Sequence, residues 1–246
     1  MDRAVTRPDI VYFLGESLSD NGRELRYSLR SLANVRHGRV WMVAPDIPDW
    51  VQEINWCPWE QLPEKQLDIS EKYKWLTHLG GEPSNQDMAD DVIVMDDDYY
   101  IVKKMRSVPL IYNMPMRAKA VTRPPQDEMG AMLRNTLRLL LERNVGVPLA
   151  AVLHVPYPIT RSELPVHLED GRGPYEWKSI WLNWAMQQGT QGKSALIDPK
   201  ITEPKDVPIW LEWNMGFMSS MERTYNEVGM EEILNEYFPE KSCYER

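Results

Sequence analysis

The chain has 246 residues and a mass of 28.8 kDa, enough to bury a sizeable core without disulfides or a structural metal. Hydrophobic residues make up 43% and charged residues 26%, a balance that excludes a disordered chain. Twenty-eight basic against 37 acidic residues leave a net charge of −9, which argues against a general affinity for nucleic acid or an anionic membrane but leaves room for a local basic cleft.

Cys57 and Cys243 lie far apart, with no Cys-x-x-Cys or Cys/His spacing for zinc and nothing like a secreted disulfide framework. The polar opening MDRAVTRPD and the short apolar run over 10–14 do not make a signal peptide. No stretch approaches the ~20 apolar residues that span a bilayer. These features predict a soluble, acidic protein of a reducing compartment, the cytoplasm, or the host cytoplasm if the chain is phage-encoded.

Residues 10–14, closed by Gly15, read as a buried strand. A polar loop follows, from which Asp20 or Asn21 is expected to cap a helix whose Leu25, Leu29 and Leu32 make one apolar face. Val40-Trp41-Met42-Val43-Ala44 reads as the next strand, stopped at Pro45, and strand, helix, strand within 35 residues begins an α/β sheet. A Trp- and Pro-rich connection leads to a weaker helix over 70–79. Val92-Ile93-Val94-Met95 then runs into Asp96-Asp97-Asp98, the pattern of a buried parallel strand surfacing at its carboxyl end, where open α/β sheets bind ligands.

The second half is more helical. Pro124 and Pro125 precede a helix over 126–144, with Met129, Leu133, Thr136, Leu137 and Leu140 at helical period. Asp127 and Glu128 suit its positive end and Arg143 its negative one. Residues 149–153 read as a short strand before His154. A Trp-faced helix is expected over 175–188, from Trp177, Trp181 and Trp184, and a final helix from Tyr225 or Met230 to Tyr237. No repeat or linker divides the chain, which predicts a single domain over 1–246.

The sharpest chemical feature is the acidic tripeptide. In an extended segment Asp96 and Asp98 project to one side and Asp97 away, and two hard oxygen ligands so placed suit Mg²⁺ or Mn²⁺, which in turn bind a nucleotide diphosphate. Read alone, the same three residues also fit a solvated turn. The exit of the first strand, from Gly15 to Asn21, offers a rest for a base or ribose, with Asp20 accepting hydrogen bonds. Gly-x-Gly-x-x-Gly and the P-loop pattern are both absent, so phosphate must be held by metal and side chains. Arg23, Arg26 and Arg30 share a helical stripe that suits this task or is simply a solvated face. His154 at a strand end suits a metal ligand or proton carrier, or a histidine bonded to backbone. Of ten tryptophans, the regular trio reads as core, whereas Trp210 and Trp213 look more like a cleft wall for sugar faces. Hydrolase, metalloprotease and kinase signatures are all missing.

Taken in order, several segments resemble a known group. Asn21-Gly22-Arg23-Glu24-Leu25-Arg26-Tyr27-Ser28-Leu29-Arg30-Ser31-Leu32 resembles a segment of the Stealth-type capsular polysaccharide phosphotransferases and of related glycosyltransferases carried by actinobacterial phages. Pro48-Asp49-Trp50-Val51, Lys72-Tyr73, Val94-Met95-Asp96-Asp97-Asp98-Tyr99-Tyr100 and His154-Val155-Pro156-Tyr157-Pro158 resemble its later elements. So do Phe217-Met218-Ser219-Ser220 and the ending from Phe238 to Glu245, while Met221 and Glu222 depart from the group's Ser-Asp pair.

The resemblance implies a GT-A type nucleotide-diphospho-sugar transferase fold: α/β, a mixed, mainly parallel sheet, a donor-binding half over 1–123 and a helical acceptor-side half over 124–246. It implies a sugar transferred from a nucleotide-sugar donor with Mn²⁺ or Mg²⁺ on Asp96 and Asp98, and His154 as third ligand or acid/base group. Asp97 would contact donor sugar or ribose, and Lys72, Arg26 and Arg30 would steady the diphosphate. The acceptor would be a protein or glycan, by analogy a virion or capsid protein, and a homo-oligomer is compatible with this reading. Two alternatives stand beside it: transfer of a sugar-1-phosphate with release of a nucleoside monophosphate, and a non-catalytic carbohydrate- or partner-binding module.

Overall fold

The computed structural model describes residues 7–14, 22–58, 87–124, 126–164, 173–195, 197–203, 216–221, 224–225 and 229–246. Gly15, Asp20, Lys72, Trp210, Trp213 and the helix expected over 70–79 lie outside the described residues.

Strands β1 (Asp9–Phe13), β2 (Val40–Ala44), β3 (Asn55–Pro58), β4 (Asp91–Met95) and β9 (Tyr157–Thr160) form a five-stranded sheet in the order β3-β2-β1-β4-β9. The first four are parallel, and β9 runs antiparallel to β4. Every residue of β1 and β2 is buried, which is why these strands read as continuous apolar runs rather than alternating ones. Ile10, Tyr12 and Leu14 turn to one face, against Leu25, Leu29 and Leu32 of helix α1 (Arg23–Ser31) and the 3-10 turn that continues it. Val11 and Phe13 turn to the other, against Trp177, Trp181 and Leu182 of α4 (Trp177–Gln187). The sheet is therefore covered on both faces, and the tryptophans of α4 that face it are core.

Smaller elements complete the fold. β5 (Tyr99–Ile101) pairs antiparallel with β11 (Phe217–Ser219), and β6 (Leu110–Tyr112) parallel with β10 (Gly192–Ser194). Helix α2 (Met116–Val121) packs on α3 (Glu128–Glu142) through Met116, Ala120, Leu133 and Leu140. Asp127 caps α3 by accepting from the Gly130 N–H at 3.2 Å. Helix α5 (Met230–Tyr237) buries Met230 and Leu234 beside Tyr27, Tyr100 and Met218.

Two expectations change. The N-cap position of α1 is Gly22, in the left-handed region at φ 72°, and the expected Asp20 and Asn21 lie outside the described residues; glycine takes that conformation without a Cβ clash. The strand expected over 149–153 extends only through β8 (Leu149–Ala150), which pairs with β7 (Met114–Pro115) outside the main sheet. The Ala151 N–H donates to Ser179 Oγ at 2.9 Å and the Leu153 N–H to the Ala151 carbonyl at 3.0 Å, so the chain bends there instead of extending.

One buried carboxylate ties the amino-terminal edge of the sheet together. Asp9 accepts from the Arg39 N–H at 2.8 Å, Trp41 Nε1 at 2.9 Å and the Ala89 N–H at 2.9 Å. Three donors offset the cost of burying its charge.

Candidate active site at the carboxyl end of β4

From β1 the chain moves outward to β2 on one side, whereas β4 lies on the other. Strand order thus reverses between β1 and β4, and at such a switch point an open α/β sheet leaves a crevice at its carboxyl edge. A cavity of about 700 Å³ opens there, bounded by Phe13, by Asp96, Asp97 and Asp98, and by the start of α4. That volume suits a nucleotide-sized ligand.

The acidic tripeptide leaves β4 and turns at once: Tyr99 N donates to the Asp96 carbonyl at 3.2 Å. Asp97 and Asp98 therefore sit in a turn, and the side-to-side alternation expected of an extended segment does not apply; all three line the cavity. Asp98 is held by Ser219, whose Oγ donates to Oδ2 at 3.0 Å, and by the Ser220 N–H, which donates to its carbonyl at 3.2 Å. Burial, then the charges of Asp96 and Asp97, push the Asp98 carboxyl up to about 8, with Lys200 pulling the other way and Glu24 adding to the rise. Burial, Asp96 and Asp98 likewise push the Tyr99 hydroxyl well above its ordinary value.

Two buried hydroxyl chains fix the turn to α1. Ser28 Oγ donates to the Tyr99 carbonyl at 2.6 Å, which leaves Tyr12 OH as donor in the 2.9 Å bond to Ser28. Ser220 Oγ donates to Glu24 Oε1 at 2.6 Å, which makes Tyr100 OH the donor in its 2.8 Å bond to Ser220.

His154 also lines the cavity, with Nδ1 2.8 Å from Asp198 Oδ2 and its ring edge-on to Tyr99 at 6.4 Å between centroids. Lys178 and Lys200 bring positive charge to the cavity. The Lys178 ammonium stands 3.4 Å from Tyr99 OH. Glu176 caps α4 through Ser179, and also lines the space.

Arg26 and Arg30 do not line this cavity; both engage Glu245. Arg30 donates to it from Nε at 2.8 Å and from an Nη at 2.9 Å, and Arg26 reaches it at 3.5 Å while its guanidinium lies 3.9 Å over the Trp50 ring. Arg23 pairs with Glu231 at 3.2 Å. The stripe is thus a docking face for the carboxyl-terminal residues, and the cations of the cavity come from elsewhere in the sequence.

The donor chemistry fits a divalent cation in part. Asp96 and Asp98 are hard oxygen donors that repel one another, and a cation relieves that repulsion. Among the described residues no three His, Cys, Asp or Glu side chains gather to cage a metal, so His154 is not drawn with the two aspartates into one ligand set. Mg²⁺ is commonly held by one or two carboxylates completed by water and substrate phosphate, so Asp96 and Asp98 would be the residues to hold such an ion.

Sequence reasoning missed Glu24, Asp198, Lys178 and Lys200 as cavity residues or their partners. Asp198 lies 44 positions from His154 and Lys200 beside it, in a stretch without periodicity, so no local signal marks them.

No family model matches the chain, and no curated protein matches it. Among solved structures, the glycosyltransferase GlyE of Streptococcus pneumoniae TIGR4 is similar at 11% identity, over 95% of this chain and 64% of that one, with a TM-score of 0.36. Its apo form is similar at 11% identity over the same shares, with a TM-score of 0.35. The chain spans less than two thirds of the length of these structures. No described helix is long and apolar enough to cross a membrane.

Proposed function

We propose that the chain transfers a sugar from a nucleotide-sugar donor to an acceptor hydroxyl, with Mn²⁺ or Mg²⁺ as cofactor. The observation that carries this reading is the meeting of Asp96, Asp97 and Asp98 with Lys178, Lys200 and His154 in one switch-point cavity. The order of motifs that resembles nucleotide-sugar transferases supports it independently.

Asp96 and Asp98 would hold the cation, which supplies neutralisation of the diphosphate charge. Lys178 and Lys200 orient the phosphates and steady the charge that develops on them. Asp97 contacts the donor sugar or ribose. His154, with Nδ1 committed to Asp198, takes the acceptor proton at Nε2. The acceptor oxygen bonds to the anomeric carbon, the bond from that carbon to the phosphate oxygen breaks, and its electron pair leaves with the nucleoside diphosphate. By resemblance the acceptor is a protein or glycan, with a virion or capsid protein as first candidate.

The test is chromatography of nucleotides released from a panel of nucleotide sugars, with Mn²⁺ and with EDTA. Metal-dependent release of a nucleoside diphosphate is expected, falling about 10²-fold or more in Asp96→Asn and Asp98→Asn variants that keep their circular dichroism. Release of a monophosphate would replace the reading with sugar-phosphate transfer. Absence of both release and nucleotide binding would sink it in favour of a binding module.

A further inference from the structure

Away from the acidic cavity, two adjoining concavities of about 560 and 500 Å³ share Lys104 and Met105. Their rims carry Arg36, Lys103, Lys104, Arg106 and Lys193, all exposed, and no acidic residue is among the described lining. None of the five makes an ion pair with a described residue, unlike Arg23, Arg26, Arg30, Arg39 and Arg123. Five unneutralised cations on one face of a chain of net charge −9 form a local field of the opposite sign to the whole.

The backbone under these side chains is fixed. Val35 bridges Met105, and the Met105 N–H donates to the Asn34 carbonyl at 2.8 Å. Lys193 sits in the β10–β6 ladder opposite Ile111. The Val102 N–H donates to the Gly216 carbonyl at 3.0 Å, at the end of the β5–β11 ladder remote from Asp98. The cations are thus held at set positions while their tips stay in solvent.

The floor between them is apolar and recessed: Ile111 is 7% and Phe217 2% exposed, with Met105 and Ile197 partly buried. A membrane surface calls for apolar side chains that protrude. Single-stranded nucleic acid calls for exposed aromatic platforms, and the one aromatic lining residue described, Phe217, is below the surface. The partly exposed Met105 and Ile197 offer apolar contact to the C–H faces of sugar rings, and charged substituents along the chain would meet the cations at the rim.

We propose that this face binds an extended carbohydrate chain bearing sulfate, phosphate or carboxylate groups, independently of the chemistry in the acidic cavity. Immobilised dextran sulfate and polygalacturonate are the probes, with neutral dextran as control. Wild-type protein is expected to bind at least one anionic polymer, with affinity falling as salt rises, and to ignore neutral dextran. A Lys103→Glu, Arg106→Glu, Lys193→Glu variant should lose at least tenfold in affinity with an unchanged thermal midpoint. The single variants Lys103→Gln, Arg106→Gln and Lys193→Gln, each expected to lose two- to threefold, keep the test valid if the triple variant fails to fold. Asp96→Asn should bind the polymer as wild type does, so failure of the transferase reading leaves this result untouched. Equal binding by wild type and variants, no binding to either polymer, or tighter binding to phosphatidylserine vesicles or single-stranded DNA overturns the proposal.

Discussion

One carboxylate holds both the ring and the main chain of His154. Asp198 Oδ2 stands 2.8 Å from Nδ1, and Asp198 Oδ1 accepts the His154 N–H at 3.1 Å. Burial raises the Asp198 carboxyl, but the bonds from His154 outweigh it and hold it below the usual carboxylate range. An anionic Asp198 favours the proton on Nδ1, which leaves Nε2 for the base role that the proposed transfer requires.

Asp198→Asn and His154→Gln should each lower the turnover number about 10²-fold. The two residues act as a unit, so the double variant should be scarcely slower than either single one. Steady-state kinetics on the donor identified by nucleotide release would check this; multiplicative losses would separate the two roles.

Lys200 is the described cation that offsets charge on Asp98. Lys200→Gln should weaken nucleotide binding about tenfold, the loss of one charge-assisted contact. Titration calorimetry with the nucleoside diphosphate and Mn²⁺ reads this directly. Unchanged affinity would place the phosphates away from Lys200.

Glu245 is fully buried at its side chain and receives Arg30 in two bonds. Burial raises its carboxyl, yet Arg30 and Ser242 together hold it below its ordinary value. The folded state thus favours the ionised form, and its contribution is complete above the ordinary carboxylate range and disappears as pH falls through the depressed folded value. Glu245→Gln should cost about 2 kcal/mol at neutral pH. The gap in thermal midpoint from wild type should close as pH is taken below about 4. A gap independent of pH would assign the effect to packing.

Gly38 faces Asp9 so closely that an added Cβ would collide with Oδ1, and it would also come within 3.2 Å of the Arg7 carbonyl. Oδ1 cannot simply swing aside, because it accepts the Arg39 N–H. Gly38→Ala should therefore destabilise the fold by about 1–3 kcal/mol, read as a lower urea midpoint. Asp9 lies at the opposite end of β1 from the cavity, so nucleotide binding by the folded fraction should be unchanged.

The central architecture was legible because its strands bury both faces. Continuous apolar runs mark β1, β2 and β4, and the carboxylates that follow Met95 mark the surfacing edge. Helical period also marked α1, α3 and α4. What escaped were elements too short to have a period. β5 and β11 have three residues each, and Met218 pairs with Tyr100 across 118 positions, so neither segment declares itself alone. The outer strands β3 and β9 each contain a proline, Pro58 and Pro158, which lowers a strand reading although sheet edges tolerate it. The acidic motif was visible, but its surroundings were not. The arginine stripe shows why: spacing puts side chains on one face of α1 without saying whether that face meets a ligand or the chain's own end.

The two hydroxyl chains beside Asp98 carry a consequence for how the site comes into being. Ser28 meets Tyr99 across 71 positions, Ser219 meets Asp98 across 121, and Ser220 meets Glu24 across 196. Loop closure over such spans precedes any reward from these contacts. A nascent or clipped chain that carries the three aspartates but lacks Ser219 and Ser220 has the motif without its supports. The acidic cavity is therefore assembled only after the segments around residues 24 and 220 have met, and a fragment chosen by motif alone would lack the contacts that hold Asp98.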